Sequence, residues 1–392
     1  MVDDRTGGPA GEMFSILHIG KYYFPHRGGI ETHLRSLASR QAKTNPVKAI
    51  VANSSAHDEE TLIDGVRVRR VARVGTIASM PVCPGLTKAI RDSAADLVHI
   101  QMPNPGAAFS FLRSGHKGKL VLTHQSDTIG RRVLRRLSDP VVVRLMQRAS
   151  RILVTSSRYL ESSPELEPFR LKCAIIPLGI DVPSSNPGNP EAAAALRDRF
   201  GNRIVLAIGR LVPYKGFDVL VRAMKPVDAH LLLIGGGPLM GPLTALIQKE
   251  QLAHKVTIVG QAEALDQYFQ AATLFVLPSV TRAEAYGLVQ LEAMAAGLPV
   301  VNTNIESAVP ELSVDGQTGL TVPPGNVNAL AVAMDYLLQR PALCKQFGEA
   351  AKAKVQAEFT ADLMTKRIMS VYRDVLAEPI HDFAGNATSL LF

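Results

Sequence analysis

Glu284-Ala-Tyr-Gly287-Leu-Val-Gln-Leu-Glu292, followed directly by Ala-Met-Ala-Ala-Gly297-Leu-Pro299, places two carboxylates eight positions apart. Around the second one, Leu288, Val289, Leu291, Ala293 and Met294 leave an almost wholly apolar segment that carries no Lys or Arg. A buried carboxylate without a partner is costly, and Glu seldom occupies such a setting. A polar, hydroxyl-rich ligand is the natural partner. The stretch follows a strand-like run, Leu274–Leu277, and a Pro278-Ser279 turn, and its helical pattern starts near Gly287. Glu284 then lies on the loop, and Glu292 sits about a turn and a half inside the helix. Helical side chains tilt toward the N-terminus, so Glu292 points back to the helix start. There the free amides of Gly287 and Leu288 can meet a phosphate while Glu292 reaches adjacent sugar hydroxyls. The competing reading is an amphipathic helix with a surface Glu.

Working outward, Ile204–Ile208, Leu231–Ile234, Val256–Val259, Leu274–Leu277 and Val300–Asn302 read as strands with helices between them. The first half repeats the pattern with 14–20, Val47–Ala52, Val66–Val71, Asp96–Ile100, Leu120–Thr123 and Ile152–Thr155, and a helix from Ile30 to about Arg40. Strands apolar throughout and alternating with helices indicate parallel sheets covered on both faces. Gly179–Pro190, rich in Pro, Ser, Asn and Gly, separates the halves. The fold class is therefore α/β, with two doubly wound, Rossmann-like parallel-sheet domains facing a central cleft, where ligands of such sheets gather. Residues 13–180 form the first domain and 201–358 the second, joined by a linker at 181–200. Residues 1–12 read as a disordered leader. Residues 359–392 comprise a helix that packs back on the first domain, and a tail. The helical pattern from Ala329 to Ala377 breaks near Pro341 and Phe359-Thr360.

Composition narrows the function. At 392 residues, 46% hydrophobic and 20% charged, the chain is globular and too long for one ordinary core. Three widely spaced cysteines, Cys83, Cys173 and Cys344, suggest neither a disulfide framework nor a zinc site, and fit a reducing cytoplasm. The acidic start, Met1-Val-Asp-Asp4, is wrong for a secretory signal. No apolar run approaches the roughly 20 residues that span a bilayer. The net charge of +8 is uneven: residues 1–180 hold 26 Lys and Arg against 15 Asp and Glu, and the remainder 17 against 20. An anionic surface or partner for the first half follows.

Further motifs lie at strand exits. Gly28-Gly29, before the first helix, lets the backbone approach an anion at a helix N-terminus, or serves a tight turn. It is not the Gly-x-Gly-x-x-Gly fingerprint, which counts against a nicotinamide-dependent oxidoreductase. His124 ends a buried strand, where it can donate a hydrogen bond, act in acid–base chemistry, or be structural. Gly209-Arg210 and Lys215-Gly216 set two cations in a Gly/Pro loop. They can grip a diphosphate, Arg by its fork and Lys as a point charge, or remain solvated. Gly235-Gly-Gly237 supplies another glycine exit that lets backbone crowd a ligand or a neighbouring helix.

Taken together, Gly28-Gly29, His124, Gly209-Arg210, Lys215-Gly216 and the Glu284/Glu292 pair with its Ala-Met-Ala-Ala-Gly-Leu-Pro continuation resemble the family 4 retaining glycosyltransferases of GT-B fold, the glycosyl transferases group 1. The likeness runs from about Phe14 to Ala377. It implies a nucleotide diphosphate sugar donor, GDP- or UDP-linked, held mainly by the second domain, with no cofactor and no metal. It further implies that Arg210 and Lys215 hold the diphosphate, Glu292 the ribose and Glu284 the donor sugar, with Gly29 near the phosphates and His124 at the reacting centre. Front-face departure without a covalent intermediate is likewise implied by the family. Ala285-Tyr286 replaces the Gly-Phe of many relatives, and Glu306-Ser-Ala-Val-Pro-Glu311 replaces their paired glycines before Pro-Glu. His124-x-x-Asp127 and Val300-Val-Asn-Thr-Asn304 look like bacterial surface-polysaccharide mannosyltransferases within the family, so the expected hexose is mannose.

Arg131, Arg132, Arg135 and Arg136 pair at i,i+4 on one face, with Arg144, Arg148 and Arg151 following. Like charges at that spacing repel, and anionic lipid headgroups or a pyrophosphate-linked lipid acceptor relieve them. A solvated helix face is the plainer reading. With aromatic residues at 5% and no stacking platform, nucleic acid is not expected. The expectation is thus a cytoplasmic enzyme, peripheral at the inner face of the membrane, moving a hexose to a lipid-linked glycan. The same chemistry on a soluble acceptor, or non-catalytic sugar-nucleotide binding, are the alternatives.

Overall fold

The computed structural model describes residues 13–26, 28–77, 80–127, 132–182 and 189–379, without the side chains of 132–138. The first sheet comprises β1 (Ile16–Ile19), β2 (Val47–Ala52), β3 (Glu59–Ile63) and β4 (Val66–Val71). After a separate antiparallel pair, β5 (Gly75–Ile77) and β6 (Met80–Val82), it continues with β7 (Leu97–Met102), β8 (Lys119–His124), β9 (Arg151–Val154) and β10 (Cys173–Ile175). Its order is β10-β9-β8-β7-β1-β2-β4-β3, parallel except at the β3 edge. Between these strands run α1 (Gly29–Gln41), α2 (Leu86–Arg91), α3 (Pro105–Ser114), α4 (Arg132–Arg148) and α5 (Ser157–Ser162).

The second sheet is wholly parallel, in the order β13-β12-β11-β14-β15-β16. Its strands are β11 (Ile204–Ile208), β12 (His230–Ile234), β13 (Val256–Gly260), β14 (Leu274–Leu277), β15 (Val300–Thr303) and β16 (Gly319–Val322). The accompanying helices are α6 (Pro190–Phe200), α7 (Phe217–Ala223), α8 (Met240–Lys249), α9 (Asp266–Ala271), α10 (Leu288–Ala295), α11 (Val309–Leu312), α12 (Val327–Leu338), α13 (Pro341–Glu358) and α14 (Ala361–Ala377). The central strands β1, β7, β11 and β14 are buried along their whole length, as both-sided helical cover requires. In each sheet the strand order reverses at one place, between β1 and β7 and between β11 and β14. Ligands of doubly wound sheets bind at the carboxyl ends of such pairs.

Residues 190–200, expected within the linker, instead form α6, which packs against α9. The Asn189 side chain accepts the Ala192 amide at 3.0 Å, Pro190 opens the first turn, and an alanine run follows. These are local helix signals that outweigh the Pro/Asn-rich composition. Residues 183–188, the expected leader 1–12 and the tail beyond Pro379 lie outside the described residues.

The chain passes between the sheets twice, and the two passages touch. The Ile180 amide donates to the Phe359 carbonyl at 2.9 Å, and the Ala361 amide to the Ile180 carbonyl at 2.9 Å. Gly179 is required there, because a Cβ would collide with the Thr360 carbonyl. Arg40 on α1 ties both passages, pairing with Asp181 and, at 2.6 Å, with Asp362. Beyond this crossing α14 packs on α1 and the first sheet, with the Tyr372 hydroxyl 2.5 Å from His99 Nδ1.

That contact closes over three buried histidines. His18 meets Gln41 at 2.6 Å, His99 meets Thr123 at 2.6 Å, and both ring nitrogens of His33 lack a partner among the described residues. Burial lowers His18 and His33 to about 4 and His99 well below its ordinary value. The unfolded chain therefore takes up protons near pH 6.5 that the folded one refuses, and stability present above 6.5 is lost as pH falls toward 4. The expected slope is roughly 1.4 kcal/mol per pH unit for each such histidine. Urea denaturation at pH 7 and pH 5 should show this loss, and His33→Leu should reduce it by one histidine's share. An unchanged pH dependence in the variant would contradict the assignment.

Candidate functional site

The loop after β11 and the loop after β14 meet through an ion pair. Lys215 Nζ lies 2.5 Å from Glu284 Oε2, and both side chains are about nine-tenths buried. Ser279 Oγ donates to the same Glu284 oxygen at 3.0 Å, and Thr303 Oγ1 donates to the Ser279 carbonyl at 2.5 Å. Two glycines make the approach possible. Gly216, at φ 66°, lies where a Cβ would strike the Pro278 carbonyl, and the Lys215 ammonium passes 3.4 Å from the Cβ position of Gly209. Arg210, on the same loop, is exposed, and its side chain is free of hydrogen bonds and ion pairs among the described residues. The Gly235-Gly237 exit is explained by backbone packing: Cβ atoms at Gly235 and Gly237 would run into the carbonyls of Gly209 and Leu211.

Gly287, at φ 80°, caps α10, and a Cβ there would come within 2.8 Å of Leu277. The first amides of α10 have no partner within the helix, which makes this end electropositive. Across the cleft, Gly28 and Gly29 open α1, and a Cβ on Gly29 would sit 3.7 Å from Leu288 Cδ1. The helix N-termini of the two domains thus meet at the first residue of each, with only glycine on one side. Gly28 is extended, and a Cβ there would clash with the Glu31 carboxylate. Glu292 is half-buried, and its carboxylate is unneutralised among the described residues. Burial, with a smaller contribution from Asp266, raises its pKa to about 7, and no described residue hydrogen-bonds or ion-pairs with its carboxylate.

His124 lies apart from this group, at the end of β8 and fully buried. Its Nδ1 is 2.7 Å from the Tyr159 hydroxyl and its Nε2 3.4 Å from Glu165. Tyr159 donates to Asp127 Oδ1 at 3.2 Å, so its oxygen is left to accept from His124 Nδ1–H. Ser163 also donates to Asp127, and Arg282 of the second domain pairs with it. His124, Asp127 and Glu165 bring ligand atoms within 4.8 Å of one another, yet each is already engaged by protein groups. Arg282 also donates to the Ser162 carbonyl at 2.9 Å, which places the His124 cluster two residues in sequence from Glu284.

The same short helix, α5, takes a second group from across the cleft. Glu311 Oε1 accepts from the Arg158 amide at 2.6 Å and from Ser157 Oγ at 3.2 Å, capping α5 from the other domain. Arg158 reaches Asn304 Oδ1 at 2.7 Å. Motif reading missed Asp127–Arg282 and the Glu311 cap, because partners more than 150 residues apart leave no spacing signal. Arg131 lies outside the described residues, as do the side chains of Arg132, Arg135 and Arg136, whose backbone belongs to α4.

Removing one partner of a buried pair strands the other. Glu284→Ala should lower stability by roughly 3–5 kcal/mol, and adding Lys215→Ala should recover part of that loss in a denaturation cycle. Strict additivity would show that the pair does not interact. Arg282→Ala combined with Glu311→Ala should loosen the contact between domains and raise the radius of gyration in small-angle scattering. An unchanged radius would remove these residues as interdomain ties.

Comparison with known proteins agrees with this architecture. Residues 28–179 match the glycosyl transferase 4-like domain and residues 190–354 the glycosyl transferases group 1 domain. The chain is 29% identical over 352 residues to D-rhamnosyltransferase WbpZ of Pseudomonas aeruginosa, covering 88% of this chain and 92% of that protein. It is 26% identical over 369 residues to O-antigen chain mannosyltransferase C of Escherichia coli, covering 92% and 98%. It is 28% identical over 355 residues to the GDP-mannose-dependent alpha-(1-6)-phosphatidylinositol monomannoside mannosyltransferase of Mycolicibacterium smegmatis, covering 84% and 90%. Among solved structures, sucrose-phosphate synthase of Thermosynechococcus elongatus superposes with a TM-score of 0.75 at 24% identity, over 93% of this chain and 99% of that one. Anabaena HepE with UDP and glucose superposes with a TM-score of 0.76 at 18% identity, over 92% and 100%. With both domains matched in order and the two sheets facing one cleft, the chain belongs to the group 1 glycosyltransferases of GT-B fold.

Proposed function

We propose that the protein moves a hexose, mannose by preference, from a nucleotide diphosphate sugar to a lipid-linked glycan in polysaccharide or glycolipid synthesis. Transfer proceeds with retention at the anomeric carbon and without a metal. The observation that carries this reading is the buried Lys215–Glu284 pair at the carboxyl ends of β11 and β14, in the fold whose α1 and α10 N-termini meet across the cleft. A diphosphate suits the free Arg210, the Lys215 ammonium and the unpaired amides of Gly287 and Leu288, which together replace the charge a metal ion supplies in other sites. Glu292, without a protein partner, receives ribose hydroxyls, and Glu284 the donor sugar. Gly28 and Gly29 leave room for the phosphates, and His124 lines the reacting centre through Tyr159 and Asp127. As the sugar C1–O bond breaks, its electrons pass to the diphosphate. The acceptor hydroxyl oxygen bonds to C1 from the same face, and its proton goes to the departing phosphate oxygen.

The names of the relatives support mannose, GDP and a lipid-borne acceptor: one is GDP-mannose-dependent and acts on a phosphatidylinositol monomannoside, another is an O-antigen mannosyltransferase. No helix among the described residues is long and apolar enough to cross a membrane. Attachment through the basic first domain, peripheral at the inner face, is consistent with that and with the +8 net charge. A soluble acceptor is the second reading, and flotation with anionic vesicles before and after replacing Arg131, Arg132, Arg135 and Arg136 by Gln separates the two.

Thermal shift against GDP, UDP, ADP and NAD should give the largest rise with GDP and none with NAD. Glu284→Ala should abolish transfer while nucleotide still binds; persistent transfer removes Glu284 from the reaction, and nucleotide binding without transfer in the unaltered protein leaves a non-catalytic binder. NMR of the product's anomeric centre reports retention or inversion directly. Because Glu292 accepts ribose hydroxyls best as a carboxylate, nucleotide affinity should rise as pH increases through about 7. In Glu292→Gln that dependence should disappear, and its survival would place the titrating group elsewhere.

A further inference from the structure

The carboxyl ends of the first sheet face the cleft, and the amino ends face the opposite pole, about 20 Å away along a six-residue strand. There a cavity of about 570 Å³ opens between the starts of β7, β8 and β9, the end of α4 and the residues after α14. Lys117, Lys119, Arg148, Arg151 and Lys172 line it, against Asp96 and Glu378. The two carboxylates are already spent. Asp96 accepts from the Ser15 amide and hydroxyl, each at 2.7 Å, and Glu378 pairs with Arg151 at 2.5 Å.

The cations divide into two groups. Lys119 donates to the carbonyls of Glu378 and Pro379 at 2.9 and 3.2 Å, and Lys172 to those of Gln147 and Ala149 at 2.6 and 2.9 Å. These contacts fix the walls and leave both ammonium groups without a carboxylate partner among the described residues. The side chains of Lys117 and Arg148 have no hydrogen bond or ion pair among the described residues. The repulsion is felt locally: burial first, then the charges of Arg148 and Arg151, lower the pKa of Lys172. A cavity of this volume falls in the range of small-ligand sites, and its surplus charge has no counterpart among the described residues.

We propose that this cavity binds a phosphate-class anion, a phosphomonoester or phosphodiester, at a site separate from the cleft. A tetrahedral oxyanion offers several acceptor oxygens, which suits a cavity lined by both the guanidinium fork of Arg148 and the ammonium of Lys117 better than a single carboxylate does. Both a free phosphate and a lipid headgroup have this chemistry. Leu171, the sequence neighbour of the lining residue Lys172, is wholly exposed, an apolar group that a lipid-borne phosphate can use and a free one does not. The inference does not depend on which sugar or acceptor the cleft takes.

Two measurements on the full chain test it, each comparing the parent with the Lys117→Gln/Arg148→Gln variant. Calorimetric titration with pyrophosphate at constant ionic strength probes the free source, and flotation with phosphatidylglycerol against phosphatidylcholine vesicles the lipid one. Anion binding in the cleft, or vesicle binding elsewhere on α4, is common to both proteins and cancels in the difference. Neither residue makes a contact that folding needs, so the variant should melt no lower than the parent. Loss of one equivalent of pyrophosphate binding supports a free phosphate ligand, and loss of phosphatidylglycerol flotation supports a lipid one. Equal behaviour of parent and variant in both measurements, whether through binding or its absence, overturns the proposal.

Discussion

The buried Lys215–Glu284 pair is the constraint around which the second domain's working end is arranged. Two opposite charges withdrawn from water stay together only if the loops carrying them are held in contact, since separation would leave each poorly solvated. Gly216 permits that contact by resting against the Pro278 carbonyl. The Ser279 hydroxyl and Thr303 then anchor the carboxylate to β14 and β15. Three neighbouring strands therefore converge on one ion pair, and the N-terminus of α10 is positioned by the same loop. Glu284 is the counter-charge that makes a buried ammonium tolerable there.

The first domain contributes by geometry more than by charge. Its α1 begins with two glycines where α10 of the second domain begins with Leu288, so that the positive ends of two helices face one another with little side-chain volume between them. Like partial charges so placed repel, and other contacts hold the domains together. Those contacts concentrate on α5, where Asn304 and, from α11, Glu311 act after β15 and Arg282 acts from the loop after β14, the latter continuing to Asp127 and the His124 cluster. The cleft is thus closed by hydrogen bonds at its rim, while the apolar core joins the domains only behind it, around Leu178, Tyr286 and α14.

Much of this was legible in the sequence. The central strands announce themselves because a parallel sheet buried on both faces demands unbroken apolar runs, as in Ile204–Ile208. Strand β3, Glu-Glu-Thr-Leu-Ile, escaped notice because an exposed antiparallel edge carries no such demand. Helix α6 was hidden by the Pro and Asn that cap it. At the site, Lys215, Glu284 and Glu292 stood out through local spacing and an anomalous charge in an apolar context. Tyr159 and Arg282 did not, and Asp127 and Glu311 appeared only as motif letters, since their partners come from the other domain or from distant turns. His124 was singled out correctly as a strand-end residue, but its enclosure by Tyr159 and Glu165 depends on packing that no local pattern encodes.

The contact between the two chain passages has a bearing on synthesis. Helix α14 is made after the whole second domain, yet it covers the histidine-bearing face of the first sheet and supplies Tyr372 to His99. While the ribosome is still translating the second domain, that face remains open and its polar groups wet. The first domain can collapse early but acquires its final packing only when residues 361–377 emerge, so vectorial folding here is completed from the end of the chain backward.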